Sequence, residues 1–262
     1  MIELTQTNVL SRQISERLQG DARPQGTGDF FRGSWTMSCP RWIWWEQKSE
    51  PYSEVASACG VEKMNKGTRY GIYFQNELIQ NNTDYILACC EEELEEDLGG
   101  VKIRGHIDGI LLDKKTLKPA ALFEAKTTSA WGFKGTAKGF GDPDHYSWSY
   151  IKQSTRYLAM WNRKHPEAIL DTICVFVYNV NGDLDTSSQF CARDWWFKPS
   201  QEDFDNDIAF LREVRNAKRL PRKGYETKKD CPSFCPYLSK CWEPKPKKEP
   251  ASDPFIGLVE NP

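Results

Sequence analysis

No run of apolar residues in this chain approaches the roughly 20 that a membrane-crossing helix needs, so a helical membrane protein is excluded. The opening Met1-Ile-Glu-Leu-Thr-Gln also lacks the basic and apolar regions of a secretory signal, and an intracellular location is expected. An excess of positive charge is missing as well. Lys and Arg number 35 against 37 Asp and Glu, for a net charge of −2 and a pI near 6.0. Binding to nucleic acid by bulk charge is thereby excluded, and any such binding needs a local patch. Histidine is scarce, at 3 residues. Cysteine is not, but nine in a long chain without a signal is an odd count that suits metal binding better than a disulfide scaffold. There is no internal repeat, and 39% hydrophobic with 27% charged residues is ordinary for a globular protein with one large core.

Helical periodicity covers about Leu10–Leu18, Cys39–Lys48, Gly67–Asn81, Tyr146–Arg163 and Gln201–Ala217. Strand patterns cover Ile86–Glu92, Val101–Asp113, Ala120–Thr127, Thr172–Val180 and Gln189–Lys198, the last two joined by an Asn181-Gly182-Asp183 turn. This order predicts an α/β fold with a central mixed β-sheet flanked by helices. Gly20–Gly33 reads as a loop. Ser129–Asp144 is a long glycine-rich loop whose aromatics and lysines suit either base stacking or a plain surface excursion. Acidic Glu91–Asp97 reads as a solvated strand end with no metal role. Arg212, Arg215, Lys218, Arg219, Arg222, Lys223, Lys228 and Lys229 form the best candidate phosphate-binding patch. After Trp242 the Pro- and Lys-rich tail cannot bury enough apolar surface to fold, and it ends in Phe255-Ile-Gly-Leu-Val259, an apolar island suited to a protein partner or to its own domain.

The chemistry concentrates on two apolar strands. One carries Gly105-His106-Ile-Asp108-Gly, and the next carries Ala121-Leu-Phe-Glu124-Ala125-Lys126. Alternation along a strand puts Glu124 and Lys126 on one face, and His106 and Asp108 likewise. Two carboxylates are the usual protein share of a magnesium shell, and an ammonium beside them can orient water or screen a phosphate. An isolated D…E-x-K spacing is also met in surface hairpins.

Two further features add to it. Cys231, Cys235 and Cys241 form a C-x3-C-x5-C run, and Cys39-Pro-Arg stands apart near the other end. Four thiolates suit a structural zinc ion as well as an iron-sulfur cluster. Gln153 and Tyr157, four residues apart, share one helix face. The remaining cysteines, Cys59, Cys89, Cys90, Cys174 and Cys191, and the tryptophans Trp42, Trp44, Trp45, Trp195 and Trp196 read as packing residues.

The ordered set Cys39-Pro-Arg, Asp108, Glu124-x-Lys126, Gln153-x3-Tyr157 and Cys231/Cys235/Cys241 resembles the RecB-like branch of the PD-(D/E)XK nucleases. It is most similar to the iron-sulfur exonucleases related to the CRISPR-adaptation nuclease and the AddB nuclease domain. The resemblance spans Ser34 to Trp242 and implies a restriction-endonuclease-like core. It implies a magnesium or manganese ion on Asp108, Glu124 and the Ala125 carbonyl, with Lys126 placing the nucleophile. It further implies strand contacts from Gln153 and Tyr157, and a [4Fe-4S] cluster on Cys39, Cys231, Cys235 and Cys241 that joins the N- and C-terminal segments, with zinc as the alternative. The family's helix motif has a metal-binding His where this chain has Gly71. Gln75, Glu77, His106 or water could fill that place, with Gln75 or water favoured over His106 because oxygen suits magnesium better than imidazole does.

These readings divide the chain into an N-terminal helix and loop (1–33), a nuclease domain (34–242) and a tail (243–262). The expected function is a metal-dependent DNA exonuclease acting on single-stranded or frayed ends in recombination, repair or replication. It would work in the cytoplasm of a prokaryote or of a phage-infected host. The competing reading is a catalytically decayed or complex-dependent protein that binds DNA ends. Oligomeric state, polarity and strand preference are not legible.

Overall fold

The computed structural model describes residues 28–34, 39–54, 58–79, 81, 83–129, 132–133, 135–136, 140, 148–180, 192–229, 231 and 235–242. The expected helix Leu10–Leu18, most of the Gly20–Gly33 and Ser129–Asp144 loops, the Asn181-Gly182-Asp183 turn and the tail after Trp242 lie outside the described residues.

In chain order the elements are β1 (Phe31–Arg32), α1 (Pro40–Gln47), α2 (Ala58–Tyr73) with a π-helical extension (Phe74–Ile79), β2 (Tyr85–Ala88), β3 (Glu93–Asp97) and β4 (Lys102–His106). There follow β5 (Gly109–Asp113), β6 (Pro119–Thr128), α3 (Trp148–Lys164), β7 (Ile173–Asn179), β8 (Ala192–Phe197), α4 (Gln201–Asn216) and α5 (Leu238–Trp242). The expected mixed sheet is present. It has five strands in the order β2-β5-β6-β7-β8, with β6 and β7 parallel and the other neighbours antiparallel. A second, three-stranded sheet, β1-β4-β3, was not anticipated.

That second sheet exists because the expected strand Val101–Asp113 breaks in two. Gly109 has φ +154°, a conformation open to glycine, and a Cβ there would lie 2.8 Å from the Leu87 side chain. The chain therefore leaves one sheet at His106 and enters the other at Gly109, with Ile107 and Asp108 as the link. The expected strand Ile86–Glu92 is likewise shorter. It ends at Ala88, and a turn with Cys89 and Glu91 at positive φ leads into β3. Cys89 and Cys90 are consequently exposed in that turn rather than packed, whereas Cys174 is buried as expected. Glu93–Asp97, expected to be solvated, forms β3 with Leu94 wholly buried. The helix expected at Gly67–Asn81 begins at Ala58.

β6 is central, so its middle residues are covered on both faces, and Ala121, Leu122 and Phe123 are buried. α3 packs on β6 and β7 of the large sheet and on β3 of the small one. Its buried residues include Gln153, Arg156, Tyr157, Leu158, Met160 and Trp161. A core of Ile103, Ile107, Leu122, Val175, Met160 and Leu211 joins the layers. α4 is capped by Ser200, whose side chain accepts from the Asp203 N–H, and its acidic first turn and basic last turn suit the helix dipole.

The N-terminal segment meets the C-terminal one through direct contacts. Tyr237 is wholly buried against Trp45, and its hydroxyl donates to the Glu50 carbonyl at 3.0 Å. Trp44 Nε1 donates to the Ala217 carbonyl at 3.0 Å, and Arg41 Nε to the Pro221 carbonyl at 2.8 Å. Trp44 and Trp45 are packing residues, as their amphipathic setting predicted.

Candidate active site

Glu124 lies at the middle of β6 and is only 1% exposed. It pairs with Val175 of the parallel β7, while the antiparallel β5 stops one residue short of it, with Gly109 opposite Phe123. Its Oε1 accepts from Lys126 Nζ, two residues along the same face, and from Gln153 Nε2 of α3 at 2.8 Å. Lys126 Nζ also donates to Gln153 Oε1 at 3.2 Å, closing a three-residue ring of hydrogen bonds. Glu124 Oε2 is buried with no hydrogen-bond partner among the described residues. A native interior rarely leaves such an oxygen unmatched, because the lost hydration costs about 1–3 kcal/mol or more for a charged group.

Asp108, on the link between the sheets, sends Oδ2 to the Ala125 N–H at 2.6 Å. Burial, then the charge of Glu124, pushes its pKa up to about 8, against the pull of Lys126 and the Ala125 N–H. Glu124 is also raised, chiefly by burial, although Lys126 opposes the shift. Burial pulls Lys126 downward, yet Glu124 and Asp108 outweigh it and hold the ammonium above its ordinary range. One ammonium thus faces two sequestered carboxylates, and the site is short of positive charge. An orphaned carboxylate oxygen, a second carboxylate and an adjacent backbone carbonyl are hard oxygen donors of the kind a divalent cation takes.

The Asp108 shift predicts a pH dependence of stability. The folded protein binds this proton more tightly than the unfolded chain does, so Asp108 lowers stability as pH rises from 3.8 to about 8. In EDTA, the melting temperature of Asp108→Asn relative to wild type is expected to increase steadily between pH 5 and pH 8. A difference independent of pH would show that Asp108 does not carry the strain.

Sequence comparison finds no matching family model and no matching curated protein. Among solved structures, SSO0001 aligns with a TM-score of 0.47 at 12% identity, over 87% of this chain and 93% of its own. An alkaline exonuclease from Laribacter hongkongensis, LHK-Exo, aligns with a TM-score of 0.44 at 15% identity, over 76% and 92%. LHK-Exo in complex with dAMP aligns with a TM-score of 0.36 at 15% identity, over 71% and 88%. The chemistry is therefore read from this chain's own residues.

The structure brings together Asp108, Glu124, Ala125, Lys126, Gln153 and Gln75. Gln75 sits on the π-helical extension of α2, a rare geometry that re-aims side chains, and is buried. Its Nε2 donates to the Asp108 carbonyl at 3.0 Å and to Glu91 Oε1 at 3.3 Å. That nitrogen is thus spoken for as a donor. His106 is not brought in, because it ends β4 in the other sheet, exposed and opposite Glu93. Nothing is described of the Glu77 side chain. A side chain at Gly71 would meet open space, so the absence of the family's His there is not a steric necessity.

Gln153 and Tyr157 are 7% and 3% exposed, so both side chains are buried against the site. Tyr157 fills a slot between two glycines, where a Cβ at Gly105 would come 2.5 Å from its hydroxyl. Gln153, one turn earlier on α3, bonds Glu124 and Lys126 directly. Gln153 therefore ties α3 to both. Two residues were missed by the sequence reading. Tyr150 lies one turn before Gln153 on the same face, with its ring 5.5 Å from Lys126 Nζ, and the Tyr150/Gln153/Tyr157 stripe signalled it. Glu91 was assigned to a solvated run, yet its charge acts on both Asp108 and Glu124.

At the other end of the domain, Cys39 precedes α1, Cys235 is buried beside Trp45 and Tyr237, and Cys241 lies on α5. Burial pushes the Cys235 thiol up to about 11, and Cys39, Cys231 and Cys241 all add to the shift, which brings the four sulfurs into one neighbourhood. Among the described residues, however, no three His, Cys, Asp or Glu side chains are arranged as ligands of one ion. The donor chemistry fits a thiolate-bound centre, while the arrangement is not a finished cage. Of the basic patch, Arg212 and Arg215 are engaged with the carbonyls of Gly99 and Gly100, where they brace the turn between β3 and β4. Lys223 lies over the Trp242 ring.

Proposed function

We propose that this protein is a metal-dependent DNA exonuclease of the restriction-endonuclease-like fold, hydrolysing phosphodiester bonds at single-stranded or frayed ends. The observation that carries the reading is the buried Glu124, tied by one oxygen to Lys126 and Gln153 and, among the described residues, without a hydrogen-bond partner at the other, beside Asp108. Asp108, Glu124 and the Ala125 carbonyl would hold magnesium or manganese, which supplies charge for a developing phosphorane and lowers the pKa of bound water. Lys126 keeps its proton, because two carboxylates stabilise the ammonium, so it donates hydrogen bonds to a phosphoryl oxygen or to attacking water. Gln153 fixes the Lys126 and Glu124 side chains relative to each other. The Ala125 N–H fixes Asp108. Cleavage of end-labelled single-stranded DNA in magnesium or manganese, abolished in Glu124→Ala and Lys126→Ala, tests the reading.

The same proposal assigns Cys39, Cys231, Cys235 and Cys241 to a [4Fe-4S] cluster that reinforces the contacts between α1 and the C-terminal segment. Anaerobically purified protein is expected to be brown, with four irons per chain and loss of colour in Cys235→Ser. A colourless protein with one zinc per chain would replace the cluster with a structural zinc site. Single-stranded DNA is the expected partner. No helix among the described residues is long and apolar enough to cross a membrane.

A further inference from the structure

A cavity of about 360 Å3 lies between α3 and α4, within the size range of small-ligand pockets. Trp148 and Lys152 line it from one stripe of α3, and helical spacing puts that stripe opposite the one carrying Tyr150, Gln153 and Tyr157. Phe204 and Phe210 line it from α4, and both rings also pack on the main core, so each has one side in the protein and one toward the cavity. Arg222 reaches it from the segment after α4, which Arg41 holds by donating to the Pro221 carbonyl. The floor is formed by the buried Thr155 and Asp207, and the Asp207 carboxylate is already matched by Arg156. Asp203 and Asn206 stand exposed at the rim. Half-buried aromatic rings suit a flat group with an apolar face, whereas two cations beside them suit an anion. A nucleotide carries both. Arg222 belongs to the basic run noted in the sequence, of which Lys218, Arg219, Lys228 and Lys229 are also exposed, so the anions continue along a strand.

We infer that this cavity takes an unpaired base of the DNA strand, stacked on Trp148 beside Phe204 and Phe210, with Lys152 and Arg222 on the neighbouring phosphates. The inference rests on the DNA-directed reading above and names the part of the substrate that a second site recognises. Asp203 and Asn206 offer a carboxylate and an amide to the amino and carbonyl edges of the base. α3 then serves both sites. Lys152 and Gln153 are adjacent in the chain on opposite faces of the helix, and its width of about 10–12 Å is what about three stacked nucleotides span. A base held in a duplex must leave its stack and its partner to enter the cavity, so the cavity favours single strands.

The test measures binding of a labelled oligodeoxycytidine to the full-length protein by fluorescence anisotropy, in EDTA so that the strand stays intact. One abasic residue is placed at successive distances from the end. Wild type is expected to lose affinity about 5- to 100-fold at one position, the scale of a base stacked on an aromatic ring. Trp148→Leu should lose as much on the intact strand and nothing further at that position. A merely misfolded variant would bind every strand more weakly and keep the positional loss. Arg222→Gln, changed at an exposed residue, should melt as wild type does while the slope of log affinity against log salt falls by about 0.7, the share of one phosphate on a single strand. Trp148→Leu should bind the oligonucleotide annealed to its complement as wild type does. A positional loss that persists in Trp148→Leu, or is absent from wild type, overturns the inference. Cleavage in manganese separates the two failures. If wild type cuts the strand but shows no positional loss, the cavity is not a base site and the nuclease reading stands. If Trp148→Leu removes the positional loss but wild type cuts in neither metal, the base site stands and the nuclease reading falls. Absence of single-strand binding by wild type would overturn both.

Discussion

Glu124→Ala and Lys126→Ala are each expected to lower the rate of single-strand cleavage by a hundredfold to about a thousandfold or more, the scale on which loss of one charge-stabilising group acts. The two losses should not multiply. Glu124 and Lys126 share a hydrogen bond and both touch Gln153, so removing either disorders the other, and the double variant should be about as slow as the worse single one. Stability should move the opposite way in a conservative variant. The ionised Glu124 is disfavoured by burial, so Glu124→Gln removes a charge that the fold holds at a cost, and its melting temperature in EDTA should rise. Loss of activity with gain of stability distinguishes a functional site from a buried structural ion pair, whose disruption would lower both. The label position on the DNA would report polarity in the same experiment. No cleavage in either metal, with DNA still bound, would favour a protein that binds ends without cutting them or cuts only within a complex.

Much of this site was legible because strand alternation is a strong rule. Glu124 and Lys126 share a face for that reason, and Ala125 presents its backbone between them. The α3 residues were legible too, since spacings of three and four residues on a helix bring Tyr150, Gln153 and Tyr157 into line. Asp108 was placed correctly beside Glu124, but the element around it was not. The apolar run Val101–Asp113 looks like one strand, and only the positive φ of Gly109 splits it, so the presumed partnership of His106 with Asp108 dissolves into two sheets. Glu91 was hidden by composition. Among seven residues with five further acids nearby, nothing local separates the one whose charge acts on Asp108 and Glu124 from the others. Its hydrogen bond comes from Gln75, sixteen residues away, on a π-helical turn that no periodicity announces. Gln153 and Tyr157 were found for the correct face, but burial depends on how close α3 comes to the small sheet. That approach is set by Gly33 and Gly105, which leave room for the Tyr157 ring.

Arg156→Ala is expected to have the largest effect on folding of any single change near the site. Arg156 and Asp207 are 2% and 4% exposed, and they pair through two hydrogen bonds, Nε to Oδ2 at 2.5 Å and Nη2 to Oδ1 at 2.7 Å. Nη1 adds a bond to the Gly33 carbonyl at 3.3 Å, so one guanidinium ties α3 to α4 and to the end of β1. Truncating it leaves the Asp207 carboxylate buried and uncompensated, which costs about 3–5 kcal/mol, a third or more of the stability of an ordinary domain. A lower denaturation midpoint with an unchanged slope in urea would register that loss. The double variant Arg156→Met, Asp207→Leu is expected to recover most of it, because apolar side chains of similar volume avoid the desolvation that the pair must offset. Cleavage then tells what the pair is for. Arg156 immediately precedes Tyr157 and lies one turn from Gln153, so if the ion pair also fixes the rotation of α3, the stabilised double variant should fold well yet cleave more slowly at every manganese concentration. Full activity in a stable double variant would confine Arg156 and Asp207 to holding the layers together.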